Sequence, residues 1–134
     1  MKKLLLLGAS VLLLASCTKH GEEIDATKQK LKEIGASSID DYDFQTDEIL
    51  GRDVYRQISE KHTKISKDFQ DLGDYDNAKA ELDESMKAMQ IGGKNKDAKY
   101  VIVKAFLVKA GDTLHKTIFY IDDKNEVVDF TNVK

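Results

Sequence analysis

The chain has 134 residues, with 21 lysine and arginine side chains against 24 aspartate and glutamate, and a formal charge of −3 at pH 7. It holds one cysteine and neither proline nor tryptophan. An acidic balance without an aromatic-rich basic patch excludes a nucleic-acid binder, which needs a positive face for the phosphate backbone. A lone cysteine excludes an internal disulfide and a zinc site built from several thiolates.

Lys2 and Lys3 precede an apolar run from Leu4 to Leu14, and small residues follow at Ala15-Ser16-Cys17. A positive n-region, an h-region of roughly 7–15 residues and a small-residue cleavage point are the parts of a secretory signal. A permanent span needs about 20 apolar residues, whereas Thr18-Lys19-His20-Gly21-Glu22-Glu23 turns polar at once. Leu14-Ala15-Ser16-Cys17 resembles the lipobox of bacterial lipoproteins. The resemblance implies cleavage between Ser16 and Cys17, loss of residues 1–16, diacylation of the Cys17 sulfur and a remainder anchored to a membrane. Two acyl chains hold stably where one holds marginally. By resemblance to the sorting rule of enteric bacteria, in which aspartate after the cysteine retains a lipoprotein at the inner membrane, Thr18 directs this one to the outer membrane. Glu22-Glu23 is similar to the surface-export signals of some lipoproteins, diluted by Lys19 and His20. The remainder carries 19 basic and 24 acidic side chains, a formal charge near −5, and is long enough to bury one core.

Residues 17–46 read as a lipidated cysteine and a polar tether. Within them Ile24, Leu31 and Ile34 recur at helical spacing, so Glu22 to Ile34 can form a short helix with a thin apolar face, ended by Gly35. Residues 35–41 have turn composition and read as a loop. Tyr42 and Phe44 are expected to tuck onto the core.

Residues 47–134 read as a single domain. Asp47 is placed to cap a helix in which Leu50, Val54, Ile58, His62, Ile65 and Phe69 form one stripe, with Gly73 as its stop. A second helix is expected from after Asp74 to about Gln90, with Tyr75, Ala78, Leu82, Met86 and Met89 on one side and Gly92-Gly93 ending it. The short connection predicts an antiparallel hairpin in which each helix covers the other's stripe. Gly73-Asp74-Tyr75-Asp76-Asn77-Ala78, with Phe69, Leu82 and Ser85, resembles the turn and second helix of a tetratricopeptide repeat. The small Ala78 and Ser85 would let the helices approach closely. No second copy stands at the 34-residue period, and a solenoid needs about three units, so the expectation is a local hairpin.

Tyr100 to Lys109 is rich in β-branched and aromatic residues, Ala110-Gly111-Asp112 has turn chemistry, and Leu114 to Ile121 alternates. After Asp122-Asp123-Lys124-Asn125, Glu126 to Phe130 supplies a third strand, which completes a three-stranded antiparallel meander. On its middle strand Leu114, Lys116, Ile118 and Tyr120 share one face and His115, Thr117, Phe119 and Ile121 the other. One face should pack on the helices while the other is partly covered or meets a partner. Helices before strands predict an α+β sandwich of two layers, with the helical hairpin on the meander. The stretch from Tyr100 to Phe130 looks like the C-terminal meander of small bacterial lipoproteins. It is also similar to cystatin-like and nuclear-transport-factor-like folds, which host enzymes and non-enzymes alike.

Candidate chemistry is sparse. His20, His62 and His115 have no partner at metal-ligand spacing: His20 reads as solvated, and His62, on the apolar stripe, as a core-edge residue bonded to a neighbour. His115 on a strand can meet a carboxylate across the sheet. Asp40-Asp41-Tyr42-Asp43 and Asp71 to Asp76 lack the order of a calcium loop and read as caps and turns. No Gly-x-Ser-x-Gly, phosphate loop or His-Glu-x-x-His occurs. The expectation is therefore a non-catalytic binding or interaction module of the envelope, without cofactor or metal, whose partner is an envelope protein or small ligand. The alternative is a small envelope hydrolase using His115 with a carboxylate.

Cys17→Ala is expected to abolish incorporation of labelled palmitate and to move the protein from the membrane pellet to the soluble fraction. A variant that stays wholly membrane-bound contradicts lipidation.

Overall fold

The computed structural model describes residues 19–133, so Ser16, Cys17 and the rest of the lipobox lie outside the described residues. In chain order these form helix α1 (Gly21–Glu33), a 3-10 turn (Ile39–Asp41), strand β1 (Tyr42–Leu50), helices α2 (Gly51–Asp71) and α3 (Tyr75–Lys94), then strands β2 (Lys99–Lys109), β3 (Asp112–Ile121) and β4 (Val127–Val133). The sheet has the order β1-β2-β3-β4 with every neighbouring pair antiparallel. The fold is α+β, as the order of elements implied.

Period-two alternation in the two central strands feeds two cores. Val101, Val103 and Ala105 of β2 join Phe119 and Ile121 of β3 on one face, where α1 lays down Leu31 and Ile24. Tyr100 and Ile102 join Ile118 and Tyr120 on the opposite face, where α2 lays down Val54 and Ile58. Both faces are covered, so the sheet lies between α1 and α2 and is not one layer of a two-layer sandwich. Fully burying one such side chain contributes roughly 1.5–3 kcal/mol, against about 0–1 kcal/mol for an exposed ion pair. Apolar packing therefore holds the layers together.

Four strands replace the expected three because Tyr42–Leu50 pairs with β2 along its whole length. Tyr42, Phe44 and Thr46 are half-buried while Asp43, Gln45 and Asp47 are exposed, which is the alternation of an edge strand resting on one core. Asp47 accordingly lies opposite Ile102 in the sheet, and the helix starts at Gly51 rather than at an Asp47 cap. The segment expected as a tether contains α1 and most of β1, and Leu31 is only 2% exposed. Its thin apolar face suffices because the sheet supplies the other side of the contact.

The hairpin turn has Gly73 at φ 77, and the Asp74 carboxylate accepts from the Asn77 amide at 3.2 Å to start α3. Helix α3 then runs through Gly92 and Gly93 to Lys94 instead of stopping at them. A glycine in a helix costs about 1 kcal/mol, and here burial offsets it: a Cβ on Gly92 would stand 2.8 Å from the Tyr55 Cβ. Gly51 is tighter still. Its amide donates to the Ala98 carbonyl at 2.8 Å, and a Cβ there would sit 1.9 Å from the Asn95 carbonyl oxygen. Between β2 and β3, Ala110 at φ 53 and Gly111 at φ 81 make the two-residue turn with left-handed backbone that suits a twisted hairpin.

Gly51→Ala is expected to lower stability by about 3 kcal/mol, the upper part of the usual range for overpacking, because the obstacle is backbone. Gly93→Ala, helical and with open space around it, should gain up to about 1 kcal/mol. Urea midpoints of the two variants check both signs.

Candidate functional site

Helix α3 packs almost wholly on α2, through a seam of small residues. Ala78, Ser85, Ala88 and Gly92 are buried in it. Hydroxyls tie the seam: the Ser59 and Ser85 Oγ atoms lie 2.7 Å apart, Thr63 Oγ1 is 2.9 Å from Ser85 Oγ, and Ser66 donates to the Ala78 carbonyl at 2.7 Å. At one margin His62 Nδ1 meets Glu81 Oε2 at 2.5 Å, both partly buried. His62 is thus a core-edge residue bonded to a neighbour, as its place on the stripe implied.

The large apolar residues of α3 do not enter this seam. Tyr75 is 71% exposed, Leu82 40%, Met86 60% and Met89 66%, with Leu72 of the turn at 81%. The expected mutual covering of stripes is corrected here. At about 100° per residue, Ala78, Ser85 and Gly92 point to α2, and Tyr75, Leu82, Met86 and Met89 project about a quarter-turn away. The small residues allow close helix approach, so the contact uses them and leaves the bulky side chains beside it. They run about 21 Å along the helix at 1.5 Å per residue.

Where this stripe meets the open end of the hairpin, a groove of about 420 Å³ is lined by Tyr55, Ser59, Met89, Gly92 and Gly93, with Arg52, Arg56, Glu60 and Lys96 around it. Gly92 and Gly93 leave the space that side chains would occupy. The arginines already have carboxylate neighbours: Arg52 reaches Asp97 at 3.2 Å, and Arg56 reaches Asp53 and Glu60 at 3.4 Å each. Beneath the groove the Tyr55 ring meets Tyr100 edge-on at 5.8 Å, and the Tyr100 hydroxyl donates to that of Tyr55 at 3.3 Å. Burial, then this hydrogen bond, then Asp122 and Asp123 push the Tyr100 phenol well above its ordinary range. Tyr120, whose hydroxyl donates to Gln57 at 2.7 Å, is also raised, by burial and then by Asp129 and Glu60.

The remaining sequence candidates lie elsewhere. His115 Nε2 meets the amide oxygen of Asn132 at 3.3 Å, so its hydrogen-bond partner is not a carboxylate. His20 is not solvated: its side chain is 15% exposed, with Glu23 and Glu48 each at 3.5 Å. Glu22 accepts from the Asn125 side chain at 2.7 Å, which makes the Glu22-Glu23 pair part of the folded body. Among the described residues no group of three or more His, Cys, Asp or Glu is placed to hold a metal ion, and no helix is long and apolar enough to cross a membrane. Every buried side-chain nitrogen or oxygen among them has a hydrogen-bond partner. No protein-family model, curated protein or solved structure matches this chain.

The exposed stripe was hidden from sequence reasoning because helical spacing marks an apolar face without saying whether anything covers it. The small residues at 78, 85, 88 and 92 were the available signal.

For the tyrosines the unfolded chain loses a phenolic proton near pH 10 while the folded chain keeps it. Their contribution to stability is therefore complete below about pH 10 and falls above it, for Tyr100 by up to about 1.4 kcal/mol per pH unit. Tyr100→Phe should flatten that fall in urea midpoints measured from pH 8 to pH 12.

Proposed function

We propose that this chain is a lipid-anchored lipoprotein of the bacterial envelope, sorted to the outer membrane, whose folded body is a non-catalytic interaction module acting through the outer face of the helical hairpin. The anchor half of the reading rests on Lys2-Lys3, the apolar run and Leu14-Ala15-Ser16-Cys17. The interaction half is carried by one observation: a row of large apolar side chains on α3, 40–71% exposed, that nothing among the described residues covers. Isolated apolar residues on a surface are ordinary, whereas a contiguous patch marks a contact surface.

Anchor and body are closely spaced on this reading. Helix α1 begins at Gly21, four residues after Cys17, and an extended chain spans at most about 3.6 Å per residue. The body would ride within roughly 14 Å of its acylated cysteine. A partner in the same leaflet is then met repeatedly at high local concentration.

Placing a photoreactive phenylalanine analogue at Met86 in living cells should give a crosslinked adduct. The same analogue at Lys109, in the exposed end of β2, should give none. A folded Met86 variant that forms no adduct removes the interaction reading.

A further inference from the structure

Residues 19–133 hold sulfur only at Met86 and Met89, and the chain has no tryptophan. Methionine is among the side chains most often fully buried, yet Met86 is 60% exposed and Met89 66%. The groups of the folded body most readily oxidised therefore both stand in water, on the one apolar face that the fold leaves uncovered. We propose that these two thioethers are a reversible oxidation site: a peroxide converts them to methionine sulfoxide, the α3 face turns polar and loses its contact, and a thiol-dependent reductase restores it. The proposal rests on the interaction reading above and adds its regulation.

Their placement lets oxidation act on the surface without touching the fold. Met86 and Met89, three residues apart, diverge by about 60° and flank the direction of Leu82, so they form the middle of the exposed row. Neither enters the seam, whose buried residues on α3 are Ala78, Ser85, Ala88 and Gly92 and whose ties are hydroxyls. Met89 also lines the groove beside Gly92 and Gly93. A sulfoxide oxygen on a free surface is hydrated by water. Under an apolar partner it must shed that water without gaining a hydrogen bond, which weakens the contact.

The chemistry needs an oxidant and a reductant and nothing from the protein but sulfur. A thioether lone pair attacks one oxygen of hydrogen peroxide, the S–O bond forms, the O–O bond breaks and water leaves. Sulfur loses two electrons and the peroxide gains them. In the return step two thiols of a methionine sulfoxide reductase system take the oxygen away as water and become a disulfide. Leucine resembles methionine in volume and helix propensity, so replacing both methionines by leucine keeps the apolar row and removes only the sulfur.

The test uses the full chain in permeabilised cells, with the photoreactive phenylalanine analogue moved to Leu82 so that both methionines stay in place. Hydrogen peroxide, at a dose that converts added free methionine, should add one oxygen to Met86 and one to Met89 by peptide mass spectrometry. The Leu82 adduct should then fall at least about fivefold. The double variant Met86→Leu with Met89→Leu should keep its adduct through the same treatment, and the two epimer-specific methionine sulfoxide reductases with dithiothreitol should bring the wild-type adduct back. Methionines that resist this dose, an adduct that survives their full oxidation, or one lost equally in the double leucine variant overturns the proposal and leaves the interaction reading standing. No Leu82 adduct before peroxide removes the interaction reading and the oxidation switch with it.

Discussion

The close approach of α3 to α2 governs what this molecule presents to its surroundings. Two helices come this near only when their facing side chains are small, and Ala78, Ser85, Ala88 and Gly92 meet that condition on one of them. At Gly92 the fit leaves too little room for a further carbon, because the Tyr55 Cβ would stand only 2.8 Å from it. The seam is stable for two reasons: it excludes water, and its Ser59, Thr63, Ser66 and Ser85 hydroxyls are all paired. Its narrowness has a cost, since a helix with one close neighbour buries only part of its circumference. Leu82, Met86 and Met89 are left outside for that geometric reason.

The sheet supplies a second constraint. Because β2 and β3 are apolar on both faces, neither face can stay in water, and the chain provides a helix for each. Helix α1 covers one and α2 covers the other, so α3 has no sheet left to rest on and becomes the outermost element. His20 at the start of α1 and Lys96 beside the groove both lie near the beginning of β2. Clamps at the same end, from the Gly51 and Arg52 amides to the Ala98 and Lys96 carbonyls, tie the hairpin to the sheet.

Much of the fold was legible from periodicity. The hairpin with its turn at Gly73, the cap at Asp74, the meander with turns at Ala110-Gly111 and Asp122 to Asn125, and the division of β3 into two faces all follow from local pattern and turn chemistry. Strand β1 was less legible because it is an edge strand whose polar residues, Asp43, Gln45 and Asp47, outnumber what a half-buried strand in isolation would display. Leu50 also continues the helical stripe, which drew the helix start back to Asp47. Leu31 looked too solitary for a core residue, yet a single leucine is enough when Phe119 and Ile121 wait on the sheet below.

Local sequence alone determined most of the helices and the C-terminal meander, since hydrophobic period, glycine and capping residues act within a few positions of themselves. It also carries the run closing on Cys17, on which the proposed membrane anchor rests. Only the tertiary structure decided which apolar face is used. Burial depends on how many neighbours an element has and how closely they approach, and both are properties of the assembled layers. The same row of tyrosine, leucine and methionine on α3 reads as core in one dimension and stands as surface in three.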